Sequence, residues 1–261
     1  MKTGHRLGVV VAALLIVLST AALAGAELSQ RGDLFVRFDG GISPRALPRE
    51  ALAPIAVRIE GTIKTPSGDR PPSLSRIRIA LNRGGKLDSR GLPVCHRGQI
   101  ESSSGSQALA ICGPALVGTG GIVAKTAFPG QSSYVLRGNI LLFNSVEHGH
   151  ATILAHIYQG APSPITNIIT FKIRRTGGTF GTILSAAMPP ALENNGYLES
   201  IFLQLQRSYV FRGQKRAYLS ASCPAPRGFS RAVFPFAKAS MSFNDGRVLS
   251  STLTRSCKAS P

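Results

Sequence analysis

The sequence predicts an all-β fold, antiparallel and sandwich-like, stabilised by disulfides. Three observations carry this. Apolar residues recur with a period of two over much of the chain; Gly, Pro and Asn/Asp turns separate the alternating runs; and four cysteines follow a leader with the layout of an export signal. Many short alternating strands between such turns mean sheet packed on sheet or a sheet closed on itself, and the pattern admits two packed β subdomains as well as one.

The leader comes first. Met1 to Gly8 is short and basic, with Lys2 and Arg6; Leu7 to Ala24 is almost wholly apolar; Ala24-Gly25-Ala26 is a small-x-small pattern, and polar sequence resumes at Glu27. Basic, apolar and small regions in that order make a signal peptide, here cut after Ala26. An uncleaved anchor helix is the competing reading, but the apolar run is near the lower length limit for a span. No later stretch is long and apolar enough for a transmembrane helix. The division expected is a signal peptide over 1–26 and an exported β-rich domain over 27–261, secreted or held at the cell envelope. That length buries a substantial core.

Strands follow from alternation, because successive side chains of an extended chain point to opposite faces. In Ile55–Lys64, Ile55, Val57, Ile59 and Ile63 share one face against Arg58, Glu60, Thr62 and Lys64. In Arg76–Asn82, Ile77, Ile79 and Leu81 oppose Arg76 and Arg78. In Ile168–Arg174, Ile169, Phe171 and Ile173 oppose Thr170, Lys172 and Arg174. Further strands are expected at Asp33–Phe38, Leu116–Ala127, Tyr134–Asn144, Thr152–Gln159, Thr179–Ala186, Ile201–Phe211, Lys215–Cys223, Ala232–Phe243 and Val248–Arg255. Asn244-Asp245-Gly246 reads as a tight hairpin turn, and Gly177-Gly178 and Asn194-Asn195-Gly196 as turns. Pro235 interrupts the face pattern of its strand, which calls for a bulge or an edge position. The stretch 82–107, rich in Gly, Ser and charge, is either a long surface loop or an internal boundary, and the run Ser102–Ser106 within it reads as a flexible loop.

Cys95, Cys112, Cys223 and Cys257 make an even count, which in an exported chain reads as two disulfides. Zinc is disfavoured, since no C-x2-C pair exists and Cys95 adjoins His96.

Catalytic and metal patterns are weak. His148, His150 and His156 have even numbers, so on one extended strand they share a face, opposite Ala151, Ile153, Ala155 and Ile157. His148 and His150 are the weak metal candidates; His156 lies too far along, a third ligand is missing, and a solvated strand face is the simpler reading. No G-x-S-x-G and no phosphate loop occurs, and four paired cysteines leave no thiolate nucleophile. The sequence calls for no cofactor.

Charge is the remaining signal. The chain carries 30 Lys and Arg against 12 Asp and Glu, a formal net charge of +18, of which the leader holds two. Arg58, Arg76, Arg78, Lys172 and Arg174 fall on outward strand faces, a candidate surface for polyanions. Acidic envelope polymers and anionic lipid heads are the partners this suggests. The absence of Trp and the presence of five Tyr weaken single-stranded nucleic-acid and sugar stacking. The expected role is a non-catalytic binding or structural protein; the alternative is an extracellular hydrolase whose site no motif reveals.

Two blocks carry a resemblance. One is Leu92-Pro93-Val94-Cys95 followed by Cys112-Gly113-Pro114-Ala115-Leu116-Val117-Gly118. The other is Cys223-Pro224-Ala225-Pro226, Phe234-Pro235-Phe236-Ala237 and Asp245-Gly246-Arg247, closing at Cys257. They resemble secreted β-rich proteins of unknown function from actinobacteria. The resemblance implies export and paired cysteines, and no catalytic residue. Of the three possible pairings, Cys95–Cys112 and Cys223–Cys257 are expected, because each joins cysteines near in sequence and within one block.

Overall fold

A computed structural model describes residues 25–126, 134–160, 164–189 and 196–260. The leader up to Ala24 and the turn residues Asn194-Asn195 lie outside the described residues. In chain order the strands are β1 (Glu27–Arg31), β2 (Leu34–Ser43), β3 (Ala46–Pro48), β4 (Ala53–Pro54), β5 (Ala56–Lys64), β6 (Leu74–Asn82) and β7 (Gly85–Leu87). Two short helices follow, α1 (Arg97–Ile100) and α2 (Gly105–Cys112). Then come β8 (Leu116–Thr126), β9 (Tyr134–Glu147), β10 (His150–Gln159), β11 (Ile165–Arg175), β12 (Phe180–Ala187) and β13 (Gly196–Leu205). The last are β14 (Ser208–Phe211), β15 (Gln214–Ala217), β16 (Leu219–Ala221), β17 (Arg231–Phe243) and β18 (Val248–Ser260). The fold is all-β and antiparallel-rich, with two disulfides.

Thirteen strands form one sheet, in the order β1-β2-β5-β13-β8-β9-β10-β11-β12-β6-β17-β18-β3. Its ladders are antiparallel except for the short parallel pairing of β18 with β3. The sheet curls until its first strands meet β18. There Ser29 Oγ donates to the Ser250 carbonyl at 2.7 Å and Arg247 Nη1 reaches Asp33 at 2.6 Å. Arg255 Nη2 donates to Asp39 at 2.6 Å, and its Nε donates to the Gly40 carbonyl. The period-two pattern therefore has one inner face around a continuous apolar core, including Val36, Phe38, Ile59, Ile79, Phe171, Leu184, Ala239 and Leu253. A three-stranded ribbon, β4-β16-β7, and the hairpin β14–β15 lie off the main sheet. With them at that end of the fold lie the buried Tyr218 and Leu87 of the core.

Several expected strands differ in extent. Ile201–Phe211 breaks after Leu205, and Lys215–Cys223 breaks at Tyr218. The chain between leaves the main sheet as β14–β15, and Tyr218 N–H closes its base on the Arg207 carbonyl at 2.8 Å. Pro235 sits at a register shift between Pro235 and Ala237, a bulge that restores inward Ala237, Ala239 and Met241. The Asn244–Arg247 turn closes as expected, with Gly246 at φ 83°.

The 82–107 stretch is ordered and contains structure that alternation does not reveal. Ser102–Ser106 is not a flexible loop: Ser104 is the N-cap of α2, accepting from Gln107 N–H while Gln107 Oε1 accepts from Ser104 N–H. This reciprocal capping satisfies two otherwise orphan donors. The helices pack on the outer face of β9–β11, where Cys95, Ile100, Ala108 and Cys112 bury Leu141, Phe143, Leu154 and Ile168. Cys95–Cys112 closes this lobe with Cα atoms 5.5 Å apart. Cys223–Cys257, at 5.8 Å, ties the chain after β16 to β18. The pairing is the expected one.

Candidate anion-binding face

The outer face of β11, β12, β6, β17 and β18 is built from the alternate residues that the core does not use. Cross-strand register places Lys172 opposite Ser185, Ser185 opposite Arg78, Arg78 opposite Ser240, and Ser240 opposite Ser250. The next row runs Arg174, Ile183, Ala80, Lys238 and Thr252. Arg76 sits two residues before Arg78 and faces Ser242. Strands lie about 4.8 Å apart, and same-face neighbours within a strand are about 6–7 Å apart. Lys172 and Arg78 are thus about 10 Å apart, and all five basic groups fit within about 15 Å of sheet.

Arg76, Arg78, Lys172, Arg174 and Lys238 are exposed. None makes an ion pair among the described residues. The reason is in the sequence: β6, β11, β12, β17 and β18 contain no Asp or Glu. Glu147 and Asp245 lie at its border, and of these two Asp245 is paired with a cation while Glu147 is held by a neutral hydroxyl. Glu147 accepts from Thr170 Oγ1 at 3.0 Å, and Asp245 is held by Arg247 at 2.6 Å. Around the cations, Ser185, Ser240, Ser242, Ser250 and Thr252 add hydroxyl donors. A shallow depression beside the β11–β12 turn is lined by Arg78, Lys238, Ser240, Ser250 and Thr179 over a floor of Ala80, Phe180 and Ile183.

The opposite wall behaves differently. There three basic residues are neutralised locally, Arg37 beside Asp39 at 3.8 Å, Arg58 on Glu60, and Lys125 beside Glu199 at 3.6 Å, while Lys64 and Arg137 make no ion pair among the described residues. Arg58 also stacks over the Phe202 ring at 4.9 Å. The structure therefore gathers four of the five sequence-selected cations, Arg76, Arg78, Lys172 and Arg174, and places Arg58 apart from them on β5. Lys238 completes the group. Sequence reading passes over it because the Pro235 bulge resets which residues of that strand face outward; alternation counted from Ala237 onward finds it.

No protein-family model, no curated protein and no solved structure matches this chain.

The histidines are placed otherwise than expected. His148 occupies the β9–β10 turn in the left-handed region, φ 50°, while His150 begins β10 opposite Glu147. They do not share a strand face. Among the described residues no three His, Cys, Asp or Glu side chains converge on a metal position. His156 is not on a solvated face either. It is fully buried beneath the disulfide lobe, its Nε2 3.0 Å from the Ser103 carbonyl, and Nδ1 finds no partner among the described residues. Burial pushes its pKa down, against hydrogen bonding that raises it. The neutral tautomer carries its proton on Nε2, donated to Ser103.

A third charged cluster is structural. Asp88 accepts from Arg90 Nε and Nη2 at 2.9 and 2.7 Å and lies 3.4 Å from Arg216. The hydrogen bonds from Arg90 hold its carboxyl down at about 2. Tyr209 Oη donates to the carbonyls of Asp88 and Arg90, which fastens β14–β15 onto this loop.

Proposed function

We propose that this protein is exported and acts outside the cytoplasm as a non-catalytic binding protein for acidic polymers, held on the outer face of β11, β12, β6 and β17. The carrying observation is the clustering of charge: Arg76, Arg78, Lys172, Arg174 and Lys238 lie together on one face with no ion pair among the described residues, whereas Arg37, Arg58 and Lys125 on the opposite wall sit beside carboxylates. A polyanion laid across such a face releases its counterions, which drives binding without requiring shape recognition. Serine and threonine hydroxyls between the cations supply donors to phosphate, sulfate or carboxylate oxygens.

Export is supported by the basic–apolar–small leader and by two disulfides, which persist in oxidising compartments. No helix among the described residues is long and apolar enough to cross a membrane. Envelope polymers and anionic lipid heads suit the face better than single-stranded nucleic acid, since Phe180, half-buried on the floor of the depression, is a lone ring rather than a row on which successive bases could stack.

The test compares two charge-reversal variants with equal numbers of changes. One alters Arg76, Arg78, Lys172 and Arg174 to Glu; the other alters Arg137, Arg212, Lys215 and Arg227. Affinity for inorganic polyphosphate and for a polyuronate is expected to fall more than tenfold further in the first variant. Equal losses would show that the charge is background, and the reading would be dropped.

A further inference from the structure

The depression on the basic face joins two kinds of surface. It holds about 470 Å³, within the range of about 300–1,000 Å³ usual for small-molecule sites. Around it stand cations and hydroxyls, yet its floor is apolar, made by Ala80, Phe180 and Ile183. A bulge places Phe180 there. The register of β12 against β6 shifts between Phe180 and Thr182, so Phe180 lies opposite Asn82, in the outward series Arg76, Arg78, Ala80 and Asn82, while Leu184 and Ala186 face the core. Bulges re-aim side chains in this way. Arg78 and Lys238 stand beside the floor. Arg78 faces Ser240 and Lys238 faces Ala80, so the two cations are diagonal neighbours on adjacent strands, about 7–8 Å apart. Ser250 Oγ donates to Ser240 Oγ at 3.0 Å, which leaves the Ser240 hydrogen for an acceptor next to both cations.

We propose, resting on the polyanion reading of this face, that its acidic polymer is a glycan, and that the depression seats one sugar ring of it, a pyranose bearing a carboxylate. Such a ring uses every group present. Its face of C–H bonds covers Phe180 and Ile183; its carboxylate lies between Arg78, whose planar fork matches two oxygens, and Lys238; its hydroxyls meet Ser240 and Thr179. Polyphosphate uses the cations and hydroxyls alone, having no apolar surface to lay on the floor. The chain has no Trp platform, and a lone Phe suits one sugar ring. Arg76, Lys172 and Arg174 are left for neighbouring units of the same polymer.

The experiment titrates the full mature chain by calorimetry with an oligogalacturonate and with an inorganic polyphosphate of equal charge. Phe180→Ala is expected to lower affinity for the oligogalacturonate about fivefold, the worth of one ring contact, and to leave affinity for polyphosphate unchanged. Phe180→Tyr keeps the ring and is expected to bind as the parent does. Phe180→Leu keeps the packing and loses the flat face, so its expected loss of uronate affinity, with the circular dichroism unchanged, separates the contact from folding. Equal losses on both polymers, or no loss on either, overturn the glycan assignment. So does binding to phosphatidylglycerol vesicles that Phe180→Ala weakens as far as it weakens uronate binding, since the depression would then belong to a membrane site. Failure of the polyanion reading looks different: polyphosphate affinity would then not depend on Arg76, Arg78, Lys172 and Arg174 in particular.

Discussion

At the scale of single residues, two positions state the physics most clearly. Gly91 has φ 79°, and a Cβ there would lie 2.1 Å from the Phe211 ring. Glycine is required twice over, for the left-handed backbone and for close approach of the β14–β15 hairpin. Gly91→Ala is expected to destabilise by about 1 kcal/mol or more, read from urea midpoints, because neither demand can be relaxed alone. A variant as stable as the parent would show that Phe211 does not pack there. His156 gives the second test. Its folded-state pKa lies below that of the unfolded chain, so unfolded protein takes up the proton first as pH falls. The stability associated with neutral, buried His156 is complete above about pH 6.5 and declines as pH falls through the lower folded value. His156→Leu is expected to remove that part of the decline between pH 7.5 and 4.5. Parallel pH profiles for parent and variant would contradict the assignment.

At the scale of elements, what the sequence conveys depends on how each element is held. Strands with one face on the core are legible: Arg76–Asn82 and, past Ile168, which the lobe covers, Ile168–Arg174 alternate because the sheet buries alternate residues on one side. β10 is harder. Its inner face, Ile153, Ala155 and Ile157, is read correctly, but its outer face is buried as well, by a lobe that comes from 40 or more residues earlier in the chain. Nothing local to Thr152–Gln159 announces that cover, so His156 reads as solvated. The lobe itself escapes alternation because α2 is short and lies on a disulfide-closed excursion; its one local signature is Ser104 followed by Gln107, the capping pair. The edge strand β1 is missed because it contributes little to the core, with Leu28 63 % exposed. The candidate face is partly legible for the same reasons. Outward positions on β6 and β11 follow from parity, whereas their proximity to each other and to Lys238 is a matter of strand order. That order, β11-β12-β6-β17, joins strands far apart in sequence.

At the scale of the whole molecule, the sheet has to be closed and its charge has to be accommodated. Closure between β2 and β18 relies on side chains. Arg255 is 5 % exposed and is satisfied by Asp39, the Gly40 carbonyl and the Thr254 carbonyl. Removing the carboxylate leaves a guanidinium largely out of water with its charge uncompensated, and a change of this kind costs about 3 kcal/mol. Asp39→Ala is therefore expected to lower the unfolding midpoint, whereas the same change at Asp69, an exposed loop residue, is expected to be nearly neutral. Comparable stability of the two variants would mean that the seam is not held by this pair.

Charge is distributed on the same scale. Arg37, Arg58 and Lys125 on one wall are compensated within two residues along their own strands or across one ladder, while the five clustered cations of the other wall have no carboxylate partner among the described residues. The most direct measurement of this claim is the salt dependence of binding to inorganic polyphosphate, taken as the slope of log affinity against log salt concentration. For a flexible, single-stranded polyanion each cation engaged contributes about 0.7 to the slope. Reversal of Arg76, Arg78, Lys172 and Arg174 is expected to reduce the slope by about 3 if all four engage together, while reversal of Arg137, Arg212, Lys215 and Arg227 leaves it nearly unchanged. Equal slopes for the two variants would contradict a localised binding face.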